Sequence, residues 1–147
     1  MKKVIAILFV ACVLVSSVFA FNFKSMGVET GFGRHGGLFL SADMDVAKDL
    51  DVYARLGYNG QFNVSAGVQY KVADIKISNA TVPFKPGLQL DFNFGSGMFV
   101  FEALISADFS FEAKPFAAFF RPLFGLATSK GGTGFVWGVE TGVAYLF

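Results

Sequence analysis

The chain has 147 residues, with 12 lysines and arginines against 11 acidic residues and a formal net charge of +1. A balance so even, without a basic cluster, offers no positive field for nucleic acid. Hydrophobic residues make up 54% of the chain and 20 of them are phenylalanine, which is too apolar for an ordinary secreted domain of this size. Past residue 20, Gly, Asp, Lys or Pro interrupts every apolar run before it could cross a membrane as a helix.

Met1-Lys2-Lys3, the apolar run Val4–Val15 and the small residues up to Ala20 have the layout of a secretory signal peptide over 1–20. Cys12 lies inside it, so the remaining chain, Phe21–Phe147, is a single domain without a thiol, in keeping with export. Membrane-grade composition without membrane helices leaves closed β-structure, the other fold that satisfies its backbone in lipid.

From there the chain reads in steps of two, the period of a strand. Strands are expected at Ser25–Gly33, Leu38–Val46, Leu50–Tyr58, Phe62–Val72, Phe84–Phe94, Met98–Glu112, Phe116–Ala127 and Phe135–Phe147. Short turns rich in Gly, Asn and Asp join them. The exception is Ala73–Pro83, where Ile75 and Ile77 suggest a hairpin continuing past the main band after a bulge at Ala73 or Asp74. One face of these strands takes 14 of the 20 phenylalanines and no charge, while the other takes Glu29, Arg55, Asp91, Asp108, Arg121, Glu140 and seven more charged residues. A charge facing lipid at mid-membrane costs about 2–4 kcal/mol for Arg or Lys, whereas a soluble barrel would put phenylalanine inside and charge outside. The expected fold is therefore an all-β, eight-stranded antiparallel up-and-down transmembrane barrel over 21–147.

The last strand ends Glu140-Thr141-Gly142-Val143-Ala144-Tyr145-Leu146-Phe147. This segment resembles the C-terminal assembly signal of small bacterial outer-membrane β-barrels, such as the membrane domain of outer membrane protein A, with Glu140, Gly142, Tyr145 and Phe147 as its marks. The resemblance implies a monomer in the cell outer membrane, both ends in the periplasm, the lipid bilayer as surroundings and the outer-membrane assembly machinery as partner. Two features depart from that class: the loops around His35, Gly60, Gly97 and Gly131 are short, and Pro122 falls inside a strand of a closed ladder.

Little in the sequence carries chemistry. His35 is the single histidine, so no multi-histidine metal site or histidine relay can form, and Ser41, Ser96 and Ser129 lie in no nucleophile motif. No catalytic, metal or cofactor site is expected. The inward charges instead predict a polar network that fills the barrel. Counting from the turns places Arg121 opposite Glu140 and Asp108, lets Arg55 reach Asp43, and sets Asp91 against Glu102 as like charges. The expected role is structural and envelope-associated, with no open pore. A narrow channel or lipid-active enzyme of the same fold, and a secreted soluble barrel binding an apolar ligand, are the alternatives.

Overall fold

The computed structural model describes residues 22–33, 36–78, 80–95 and 98–147; the expected signal segment 1–20, His35 and Ser96 lie outside them. Nine antiparallel strands follow in chain order: β1 (Asn22–Gly33), β2 (Gly37–Ala47), β3 (Leu50–Tyr58), β4 (Phe62–Tyr70), β5 (Ala73–Ile77), β6 (Ala80–Gly95), β7 (Met98–Ala113), β8 (Phe116–Ser129) and β9 (Gly132–Leu146). All but β5 close into an eight-stranded barrel, because β4 pairs with β6 and β1 pairs with β9. The closing seam runs unbroken from Ser25 opposite Leu146 to Gly33 opposite Gly138, and the Phe147 amide donates to the Lys24 carbonyl at 3.0 Å. No helix occurs among the described residues.

The alternation read from the sequence is the alternation of the wall. The largest side chains lost from the surface are Arg55, Tyr53, Phe39, Leu123, Gln89, Glu29, Glu140 and Asp91, most of them polar. Outside stand Phe32, Leu38, Leu40, Phe135 and Trp137, each more than 60% exposed. The barrel is thus polar inside and apolar outside.

Prolines explain where the strands depart from the expected bounds. The β4–β6 ladder stops at Gln69 opposite Gly87, since the next partner of Tyr70 would be Pro86, which has no N–H. Strand β4 therefore ends two residues short of Val72, and the Val72 amide instead donates to the Phe84 carbonyl at 3.1 Å. Beyond this bulge, β5 resumes opposite β6 with Ala73 facing Phe84 and Ile75 facing Val82. The bulge shifts the phase by one, so Ile75 and Ile77 share a face with Val82 and Ala80, the two isoleucines exposed and Val82 buried. Pro122 causes no bulge. The β7–β8 register is the same on both sides of it, at Ser106 opposite Leu123 and Phe109 opposite Phe120, and only the two pairs between are missing.

Candidate functional site: the barrel interior

The interior is the one place where this sequence concentrates chemistry. Two arginines organise it. Arg121 lies directly across from Glu140 on β9, as the turn count predicts, and its NH1 is 3.4 Å from a Glu140 oxygen. Its Nε and NH2 both lie 3.1 Å from one Asp108 oxygen, and Glu29 stands 3.8 Å away. Arg55 reaches Glu29 at 3.2 Å and Asp91 at 3.6 Å, pairs with Glu140, and donates to Ser65 Oγ at 3.0 Å. Glu29 and Glu140 therefore bridge both guanidinium groups, the shared charge-assisted arrangement that buried carboxylates need.

The expected pairing of Arg55 with Asp43 is not what the barrel makes. Arg55 stands opposite Ser41, and Asp43, opposite Tyr53, accepts from Ser25 Oγ at 2.6 Å. Counting along one hairpin ignores the stagger that barrel closure imposes, which brings Glu29 and Glu140 to the level of Arg55. Asp91 and Glu102 do face each other. Gln89 donates to both oxygens of Asp91 at 2.9 and 3.2 Å and to Glu140 at 3.3 Å, while accepting from the Tyr53 hydroxyl.

Three inward aromatics complete the filling, each seated opposite a glycine: Phe39 across from Gly57, Tyr53 across from Gly67 and Phe119 across from Gly142. A Cβ on Gly67 would lie 2.2 Å from the Tyr53 ring, and one on Gly57 2.0 Å from Phe39. These glycines are notches that let a large ring lie flat across the interior. The rings in turn face the cations: Arg121 sits 4.3 Å from the Tyr53 centroid and 4.8 Å from that of Phe119, and Arg55 4.9 Å from Phe39. Gly142, expected as part of an assembly signal, also serves here as the seat for Phe119.

The two ends of the interior differ. Towards the end carrying the β6–β7 and β8–β9 turns it is closed by an apolar cluster of Val100, Leu104, Leu123, Ala127 and Val136. At the end carrying Asn22 and Phe147, a mouth of about 540 Å³ is lined by Lys24, Asp45, Asp51, Lys71, Lys85 and Glu112 among others. Lys24, Asp51 and Lys85 also border a smaller space of about 40 Å³ that reaches Arg121 and Asp108. Lys24 belongs to the outward parity, but the register of β1 against β2 shifts between Phe23 and Ser25, and the ammonium lies 3.0 Å from Asp51 and 3.2 Å from Asp45. Lys85 lies 2.8 Å from Asp51. Between β4 and β5, Lys71 is raised above its ordinary pKa by its hydrogen bond to Asp74.

Of the candidate serines within the described residues, Ser41 is buried in the wall and Ser129 accepts the Gly131 amide in its turn at 3.2 Å. The sequence places Glu29, Asp91, Gln89 and Tyr53 on the inward parity but does not show which partners they meet there. No family model, curated protein or solved structure matches the chain.

Proposed function

We propose that the protein is a small integral outer-membrane β-barrel with a structural, envelope-associated role and an interior closed to solute. The observation that carries this reading is the inverted distribution of side chains. Arg55, Asp91 and Glu140 are fully buried, whereas Phe94, Phe99, Phe120, Phe124 and Ile105 stand about half exposed on a face without charge. A soluble monomer rarely leaves a contiguous apolar surface of more than a few hundred Å² open to water, and here the apolar face runs round the whole wall. Tyr58 and Trp137 near one rim and Tyr70 and Tyr145 near the other support two interface belts with an apolar band between them.

The filled interior supports a closed rather than conducting barrel. Tyr53, Phe39 and Phe119 lie across it, and the apolar cluster caps one end. Cell fractionation combined with heat-modifiability on gels tests the reading. The protein is expected in the outer-membrane fraction, migrating faster unheated than boiled; recovery as a soluble species would overturn it. A planar-bilayer record with steady conductance would replace the closed barrel by a narrow channel.

A further inference from the structure

The registered pairs fix how high the wall stands on each side. Followed pair by pair from Tyr145 through Ala42, Ala66 and Ala103 to Phe135, one row of outward residues crosses every barrel strand. It returns to β9 ten residues nearer the start of that strand. A stagger of ten residues over eight strands sets the strand tilt at about 40°, so each strand crossed raises the row by about 3 Å along the barrel axis. Leu38 on β2 and Phe99 on β7 each stand four residues above this row, and the row climbs four strands between them. Phe99 is therefore about 12 Å higher than Leu38, although each is the uppermost outward apolar residue of its strand.

The lower ends show no such step. Val46 lies four residues below the row on β2 and Phe111 eight below it on β7, which brings the two within about 3 Å of one level. Phe116 at the foot of β8 is level with them, and only the β5–β6 hairpin continues lower. The apolar band is thus about 20 Å tall on β2, from Val46 to Leu38, and about 30 Å on β7, from Phe111 to Phe99, where about 25 Å is usual for a membrane barrel. The excess on the tall side is aromatic. Phe62, Phe92, Phe94, Phe99 and Phe101 form a chain of contacts with ring centroids 5.4–6.5 Å apart. Phe62, Phe94 and Phe99 are about half exposed, and no charge lies among them. This part of the wall cannot stand in water without opening a continuous patch of rings.

We infer that the barrel steps the leaflet at the end carrying the β6–β7 turn. Beside β1–β3 the short wall thins the bilayer and is a contact surface for lipids with short acyl chains, while the ring cluster of β4, β6 and β7 takes long ones. The inference rests on the membrane reading above. A bilayer that meets a wall too short for it thins or draws in shorter chains, either of which relieves the mismatch. Tilting the whole barrel does not remove the step. Because the lower rim is level, a tilt that raised Leu38 to the height of Phe99 would pull Val46 into the hydrocarbon and push Phe111 and Phe116 out of it.

The test places a single tryptophan at Leu38, Phe99 or Val46 in a Trp137→Phe background, with heat-modifiability confirming that each variant is folded. The vesicles are phosphatidylcholine brominated at one of several chain depths. All three tryptophans are expected to be quenched most by bromines next to the headgroups. Strongest quenching of Leu38→Trp near the chain ends, or a Phe99→Trp reached only by a water-soluble quencher, would mean a flat leaflet and overturn the inference. Strongest quenching of Val46→Trp near the chain ends would mean a tilted barrel and overturn it too. A second experiment mixes a minor fraction of brominated short-chain phosphatidylcholine into an unbrominated long-chain host. Leu38→Trp is expected to be quenched about twofold more than Phe99→Trp, and equal quenching would overturn the preference for short chains. Folded variants that no bromolipid quenches would overturn the membrane reading itself, and the inference with it.

Discussion

Replacing Arg121 with methionine removes the guanidinium but keeps an unbranched chain of similar reach between the Tyr53 and Phe119 rings. The cost depends on which carboxylates lose their counter-charge. Glu29 and Glu140 each keep Arg55. Asp108 loses the cation that meets it at 3.1 Å. Breaking a buried pair by removing one partner costs about 3–5 kcal/mol. Two features place Arg121→Met at the lower end of that range: the small space beside Asp108 can admit water, and Lys85, directly across from Asp108 on β6, can turn from Asp51 towards it. Arg55 has neither relief, being fully buried among Glu29, Asp91 and Glu140, so Arg55→Met should cost about 1–2 kcal/mol more. Neutralising the stranded group, as Arg121→Met with Asp108→Asn, should recover about 2 kcal/mol of the loss. The measurement is urea unfolding in lipid vesicles tracked by Trp137 emission, with heat-modifiability as a second probe. An Arg121→Met midpoint equal to that of the parent, or a double variant no more stable than the single, would refute the network and its register.

The same geometry predicts other outcomes. Gly67→Leu drives a side chain into the Tyr53 ring and should lower stability by about 1–3 kcal/mol or prevent folding; Gly67→Leu with Tyr53→Ala should refold, as read by the heat-modifiable band. Cysteines placed singly at Phe92, Phe101 or Ile105 should resist water-soluble maleimides in folded, membrane-embedded protein, and rapid labelling there would contradict a lipid-facing wall. Trp137 should be quenched most by lipids brominated near the interface; strongest quenching at the bilayer centre would misplace the belt.

The faces were legible from sequence because strand parity needs no partner: knowing that Glu140 and Arg121 share the inward side requires only counting by two. Register within a hairpin was legible for the same reason, since a short turn fixes the pairing, as with Arg121 opposite Glu140 and Asp91 opposite Glu102. What could not be counted was contact between strands far apart in sequence. Arg55 finds Glu29, Asp91 and Glu140 on three other strands, and that choice depends on the stagger of the closed ring. The seats for the aromatics were hidden for a different reason. A glycine on the polar face looks like a turn residue or a gap until its neighbour across the ladder is known. Pro86 falls inside an expected strand, and only the bonding phase shows that it stops the β4–β6 ladder.

The seam between β1 and β9 carries the same continuous pairing as a hairpin, although no turn joins it, and the Phe147 amide is bonded to the Lys24 carbonyl. Topologically the wall is a ring, and the place where the chain is cut is incidental to it. A circular permutant that joins these neighbouring ends by a short linker and reopens the chain at Gly60, in the turn between β3 and β4, keeps every strand pair. It also moves Glu140–Phe147 into the middle of the chain. Such a molecule should still form the ring in detergent, because closure depends on the order of strands round the wall and not on where the chain is cut.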